Sequence, residues 1–188
     1  MNALDESDGP SARLLKAVRF AAEKHSRQRR KDSEATPYIN HPIAVAEVLA
    51  RVGKVTDGFA LQAALLHDTL EDTPTTAEEL EQQFGPQVCA LVREVTDDKT
   101  LPQPERRRLQ LDQAAGLSTF AKQIRMADKI CNVSDIMTTE PARWTLENKR
   151  DYLTWAEQVV VRCRGSNPDL EGYFDELLKE KSRLLSLD

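Results

Sequence analysis

The stretch Leu65-Leu66-His67-Asp68-Thr69-Leu70-Glu71-Asp72 limits what this chain can be more than any other. An apolar run from Ala63 to Leu66 leads directly into one histidine and three carboxylates within six residues. Read as helix, the stretch makes His67 and Glu71 i,i+4 neighbours, and likewise Asp68 and Asp72. The four polar groups then share a patch at one end of a helix whose other positions demand burial. Carboxylates packed that closely repel one another, and burying them costs still more unless a cation sits among them. A metal ion would satisfy all of them.

Helical signals extend along the chain. Ser11 is a candidate N-cap for a helix reaching Gln28, with Leu14, Leu15, Val18, Phe20, Ala21 and Ala22 on its apolar side. Asn40-His41-Pro42 opens the next, Pro being favoured at the first helical position, and Gly53 ends it. Asp57 or Thr56 caps the helix that carries the opening stretch, and Thr73-Pro74-Thr75 stops it. Thr76-Ala77-Glu78-Glu79 is a capping box for a short helix ending at Gly85, and Pro86 starts another through Val95. Beyond a polar loop from Thr96 to Pro104, helices are expected over Pro104–Ala115, Ser118–Met137, Thr145–Cys163 and Asp169–Leu185. With no alternation of β-branched residues and no internal repeat, the chain reads as all-α, a compact bundle of about eight to ten helices.

The chain has 188 residues, 40% of them hydrophobic and 30% charged, which suits one soluble domain with its own core. Residues 1 to 10 read as a disordered tail and residues 11 to 188 as the domain. No apolar stretch approaches the ~20 residues of a membrane span, and the polar, acidic start is unlike a secretory signal. Cys89, Cys131 and Cys163 are widely spaced within apolar segments, so they read as reduced buried thiols of a cytoplasmic protein. A net charge of -5 argues against nucleic acid as a partner, whereas a small anionic ligand needs only a local basic cluster. No obligate protein partner is evident.

Of the three histidines, His41 opens a helix beside Pro42 and His67 is followed at once by Asp68. Asp128 interrupts the apolar periodicity of Ile124-Arg125-Met126-Ala127-Asp128-Lys129-Ile130, and a buried aspartate needs a partner. Singly, His41 reads as an N-cap, His67-Asp68 as a satisfied pair and Asp128 as a partner of Arg125 or Lys129. The spaced set is far more specific than any member. His41, His67, Asp68 and Asp128 together make a mixed nitrogen and oxygen site suited to Mn²⁺ or another borderline-to-hard divalent ion. Zinc stays open, although the thiolates common in structural zinc sites are missing.

The segments Thr36-Pro37-Tyr38-Ile39-Asn40-His41-Pro42, Ala64-Leu65-Leu66-His67-Asp68-Thr69-Leu70-Glu71-Asp72 and Met126-Ala127-Asp128-Lys129-Ile130-Cys131-Asn132 resemble the signature of the HD-domain metal-dependent phosphohydrolases. Arg29-Arg30-Lys31-Asp32 and Glu94-Val95-Thr96-Asp97-Asp98-Lys99-Thr100-Leu101-Pro102 extend the likeness to the (p)ppGpp hydrolase domain of the Rel/Spo proteins. Closer still are the stand-alone small alarmone hydrolases, the Mesh1-like proteins. The resemblance covers residues 12 to 180, and the chain stops at Asp188, short of the synthetase and regulatory domains of the long Rel proteins.

The resemblance implies one Mn²⁺ per chain on His41, His67, Asp68 and Asp128, with Glu71 and Asp72 as catalytic carboxylates beside the activated water. That water would attack the phosphorus on the ribose 3′ oxygen, converting ppGpp to GDP or pppGpp to GTP with release of pyrophosphate. Which of Glu71 and Asp72 holds the proton stays open, because adjacent acids titrate as a coupled set. Arg30 is expected to stack on the base and Lys31 to meet phosphate, roles suited to a planar guanidinium and a point charge. Tyr38 is expected at the ribose or base, Asn132 at sugar or phosphate, and Lys129 either at phosphate or in an outward salt bridge; Lys99 is a weaker candidate. His25 reads as a solvent or packing residue, Trp144, Tyr152 and Trp155 as C-terminal packing, and Arg106-Arg107-Arg108 as an exposed helix face. Cys131 stands where an aromatic such as Tyr is expected, and Val133 to Trp144 is less typical of the family. Removal of the 2′-phosphate of NADPH is the alternative reaction. A catalytically silent nucleotide sensor is disfavoured by the intact acids.

Overall fold

In the computed structural model, residues 9–32, 34–138, 144–184 and 186 are described. Their helices are α1 (Pro10–Lys24), α2 (Asn40–Arg51), α3 (Gly58–Leu66), α4 (Thr69–Asp72), α5 (Ala77–Val95), α6 (Gln103–Ala114), α7 (Thr119–Thr138), α8 (Leu146–Cys163) and α9 (Pro168–Leu184). Among the described residues there is no strand, and the one antiparallel bridge, Arg29 to Pro37, pins the loop between α1 and α2. The all-α bundle expected from the sequence is what forms. Residues 1–8 of the expected tail and residues 139–143 of the less typical arm lie outside the described residues.

Helix α3 explains the bundle. Its residues Ala60, Gln62, Ala63, Ala64, Leu65 and Leu66 are all buried, leaving no polar face, so it must be enclosed. It packs against α1, α2, α5 and α7. Asp57 starts it, its carboxylate accepting from the backbone N–H groups of Phe59 and Ala60 at 2.9 Å. Helix α7 is the second axis, buried from Gln123 through Cys131 and packed on α2, α8 and α9. Leu49, Leu66, Ile124, Met126 and Phe174 are fully buried between these elements, and truncating Leu66 to Ala would cost about 2–5 kcal/mol.

Two glycines are placed by geometry. Gly85 takes φ 84°, ψ 166°, breaking α5 into the two helices expected from Gly85-Pro86. A Cβ on Gly53 would lie 2.7 Å from the Leu49 carbonyl and against Leu170, so its absence lets α9 approach the end of α2. Other boundaries shift. Helix α1 starts at Pro10 after Gly9 instead of at a Ser11 cap. It ends at Lys24, short of Gln28, because His25 leaves helical geometry and Gln28 N–H closes a turn on the His25 carbonyl at 2.9 Å.

The opening stretch is not one continuous helix. Helix α3 stops at Leu66, and His67 and Asp68 form a turn before the single turn α4. His67 Nδ1 sits 2.8 Å from the Ala64 carbonyl, and Thr69 Oγ1 donates to the Leu66 carbonyl at 2.6 Å. Side chains thus take helix-end carbonyls that the backbone would otherwise serve. The i,i+4 link between Asp68 and Asp72 survives in the backbone, Asp72 N–H donating to the Asp68 carbonyl at 2.8 Å.

Candidate active site

Three elements bring four side chains together below a cleft of about 420 Å³. His41 comes from the first turn of α2, His67 and Asp68 from the turn after α3, and Asp128 from the middle of α7. One ligating atom each from His41, His67 and Asp128 lies within 4.8 Å of the others, and all three residues are buried. Asp68 joins them, its Oδ2 3.1 Å from His67 Nε2 and 3.8 Å from His41 Nε2. Asp128 Oδ1 is 3.1 Å from His41 Nε2 and 3.9 Å from His67 Nε2.

The donor set has the chemistry of a divalent-cation site. With Nδ1 committed to the Ala64 carbonyl, His67 turns Nε2 toward two carboxylates, yet that buried nitrogen has no hydrogen-bond partner. Burial opposes charge on this imidazole, but Asp68 and then Asp128 outweigh it and raise its pKa to about 9. Burial likewise opposes the ionised form of Asp68, and His67 and His41 overcome it to hold the carboxyl below its usual range. A divalent cation would take the imidazole lone pairs and offset both carboxylates in place of protons.

The two flanking acids line the same cleft as Asp68 and are bonded to other partners. Glu71 Oε2 accepts from Asp97 N–H at 3.1 Å, and its Oε1 lies 3.5 Å from Arg106 and 3.8 Å from Lys99. Burial, followed by the carboxylates of Asp97 and Asp68, raises its pKa. Asp72 accepts from Gln28 Nε2 at 2.7 Å and from Lys99. Tyr38 donates its hydroxyl to Asp68 Oδ2 at 2.7 Å, and burial and Asp68 both keep that phenol protonated.

The cleft above has a cationic wall of Arg29, Arg30 and Lys31, and an apolar wall of Ile136, Trp144 and Tyr152. Five cationic side chains line it (these three, Lys99 and Arg106), against five carboxylates (Asp32, Asp68, Glu71, Asp72 and Asp135). The walls therefore carry no net positive charge, and a polyphosphate would need a cation at the floor. Another groove, about 450 Å³ along α9, is lined by Tyr173, Glu176, Leu177, Lys179, Glu180 and Arg183 and is remote from this chemistry.

Several expectations change here. Lys129 does not line the cleft: its ammonium is buried on Asp128 Oδ2 at 2.8 Å and 4.5 Å from the centre of the Trp155 ring. Arg30 and Asn132 do line it, and Arg30 is held by Asp135 and by Asn132 Oδ1 at 3.4 Å. Trp144 and Tyr152 line it too, whereas Trp155 packs as expected and donates to the Arg107 carbonyl at 3.2 Å. The three consecutive arginines diverge. Arg106 enters the cleft, Arg107 lies over Tyr152 and Trp155, and Arg108 is exposed. His25 is buried against Tyr38, the ring centres 4.9 Å apart. Burial also pushes the Cys131 thiol upward, leaving it an unreactive packing group. Gln28, Asp97, Arg106 and Asp135 are absent from the sequence-derived set; only the helical phase of Arg106 could have singled one out.

A family model described as "HD domain" matches residues 17–150. The chain belongs to the HD-domain family. Among HD-domain relatives, the human guanosine-3′,5′-bis(diphosphate) 3′-pyrophosphohydrolase MESH1 is 52% identical over 171 residues, covering 91% of this chain and 96% of the human protein. The Drosophila melanogaster MESH1 is 47% identical over 175 residues, covering 93% and 98%. A solved structure described as a metazoan ortholog of SpoT that hydrolyzes ppGpp superposes with a TM-score of 0.89 at 46% identity, covering 93% of this chain and 98% of that one. The HD domain implies divalent-metal binding, and the buried His41, His67 and Asp128 form a group able to hold such an ion.

Proposed function

We propose that the protein hydrolyses the 3′-pyrophosphate of (p)ppGpp, giving GDP or GTP and pyrophosphate. The observation that carries this reading is Glu71 and Asp72 standing beside the buried His41, His67 and Asp128 cluster, in a chain matching MESH1 proteins along nearly its whole length. His41, His67, Asp68 and Asp128 would hold a single Mn²⁺. That ion would supply Lewis acidity, lowering the pKa of water and offsetting phosphate charge. Glu71, whose proton affinity is raised by burial and by Asp97 and Asp68, accepts the attacking water's proton. Asp72, fixed by Gln28 and Lys99, orients that water. Attack at the phosphorus on the ribose 3′ oxygen breaks that P–O bond, and the freed ribose oxygen takes up a proton.

The cleft suits such a substrate. Lys31 and Arg29 meet phosphate from one side, and Arg30 and Trp144 offer planar groups against which a base can stack. NADPH also presents a ribose with a secondary phosphate, so it belongs in the test. Mn²⁺-loaded protein is given ppGpp, pppGpp and NADPH side by side, and pyrophosphate and phosphate release are measured. The expected result is pyrophosphate from the first two, abolished by chelation and restored by Mn²⁺ more than by Mg²⁺ or Zn²⁺. Phosphate from NADPH alone would reassign the substrate, and no product from any of the three would reject the reading.

A further inference from the structure

The turn that ends α1 starts a hydrogen-bond chain that runs from a buried histidine to the half-buried edge of the cleft. His25 is 2% exposed, and its Nδ1 stands 2.6 Å from Gln28 Oε1. Gln28 Nε2 then donates to Asp72 Oδ2 at 2.7 Å. His25 Nε2 is buried without a hydrogen-bond partner.

These contacts permit one arrangement. An ionised carboxylate only accepts, so the Gln28 amide must turn its NH₂ to Asp72 and its oxygen to His25. His25 Nδ1 must then carry a proton. Its Nε2, with nothing to receive a second one, stays bare. A neutral Nδ1–H imidazole results, in keeping with the lowering of its pKa by burial. If the amide were reversed, two oxygens would face each other across 2.7 Å at Asp72.

We propose that His25 and Gln28 are positioning residues for Asp72, His25 Nδ1–H fixing the orientation of the Gln28 amide that holds the carboxylate. The backbone sets the same register: Gln28 N–H donates to the His25 carbonyl at 2.9 Å, and Tyr38 N–H to the Gln28 carbonyl at 3.2 Å. One turn of chain thereby sets both Gln28 on Asp72 and Tyr38 on Asp68. The kinetic consequence rests on the proposed function, because it takes Asp72 as the acid that orients water.

Two measurements test it. The first compares kcat, KM and bound Mn²⁺ in His25→Ala, His25→Asn, Gln28→Ala and Gln28→Glu. His25→Ala, Gln28→Ala and Gln28→Glu are expected to lose about 10–100-fold in kcat, with KM and metal content unchanged. His25→Asn puts an amide N–H where Nδ1 stands and is expected to restore most of the rate. The double alanine variant is expected to be no worse than Gln28→Ala, since His25 acts only through Gln28. A His25→Asn as slow as His25→Ala, additive alanine effects, or losses confined to KM would overturn the proposal.

The second measurement does not depend on turnover. Imidazole ¹⁵N spectra of Mg²⁺-loaded protein at pH 8 are expected to show His25 as the Nδ1–H tautomer, and to lose that preference in Gln28→Ala. An Nε2–H tautomer overturns the chain of bonds whatever the enzyme hydrolyses. An Nδ1–H tautomer in a protein inactive on every nucleotide rejects the proposed function and leaves this geometry standing.

Discussion

The hydroxyl of Tyr38 donates to Asp68 Oδ2 at 2.7 Å across 30 positions of sequence, tying the loop after α1 to the floor of the cleft. One Asp68 oxygen is thereby oriented while it faces His67 and His41. Outer hydrogen bonds of this kind fix a ligand's direction and sharpen affinity for the ion. The phenol also lies against His25, with ring centres 4.9 Å apart, and edge-on to His41 at 5.9 Å.

Tyr38→Phe keeps both ring contacts and deletes only the donor. The variant is expected to fold as the parent does and to bind Mn²⁺ about 10–100-fold more weakly. A metal titration of the two proteins reads this directly. Equal affinities would show that Asp68 needs no orienting bond.

Asp128 serves groups with different needs, and Asn132 Nδ2 donates to its Oδ1 at 2.6 Å. The carboxylate faces His41 and His67, and it also satisfies the Lys129 ammonium, which is 3% exposed. Asp128→Ala is therefore expected to lose metal and to be destabilised by about 3–5 kcal/mol, because an unpaired charge stays buried. Adding Lys129→Met removes that charge, so the double variant is expected to regain thermal stability without regaining metal. Unfolding curves and metal analysis on both proteins separate the effects. A double variant as unstable as the single one would mean that Lys129 is not the source of the loss.

Much of this was legible in the sequence, and the remainder has identifiable causes. Helices were readable because caps such as Asp57 and Thr76 and the Gly85 break are local signals. The cluster was readable because His67, Asp68 and Asp128 stand in apolar helical surroundings where uncompensated charge is costly. The turn at His67 was not, since it depends on side chains bonding back to the Ala64 and Leu66 carbonyls. Gln28 is hidden inside the charge run from Arg27 to Lys31, and only tertiary packing brings it to Asp72. Arg106 was misread with its neighbours, although successive helical residues point about 100° apart and cannot share one face. Lys129 follows the same logic: next to Asp128 in sequence, it turns into the core and not toward the cleft.

Glu71 and Asp68 lie in one short stretch, but their surroundings differ. Asp68 is held down by two imidazoles, whereas Glu71 is raised by burial and by carboxylates. Glu71→Gln is expected to keep its metal and lose about 10²–10⁴-fold in kcat, the range of a missing general base. Asp68→Ala is expected to lose metal and activity together. If metal content falls equally in both, Glu71 belongs to the ion's shell and has no separate part in proton transfer.

Arg106 is the cleft cation that sequence reading placed on an outer face. Its guanidinium reaches 3.5 Å from Glu71 Oε1, and its Nε is buried without a hydrogen-bond partner. A group so placed can meet an anionic substrate directly above the acid that handles water. Arg106→Met keeps the aliphatic stem and removes the charge. The expected result is a KM for ppGpp raised about tenfold, equivalent to about 1.4 kcal/mol of binding, and a weaker dependence of kcat/KM on salt. Arg108→Met is the control, because Arg108 is exposed and pairs with Asp112 at 2.9 Å on its own helix, a contact whose loss should leave kinetics unchanged. Equal effects of the two substitutions would assign the change to the general charge of α6, and an unchanged KM in Arg106→Met would remove Arg106 from the substrate's surroundings.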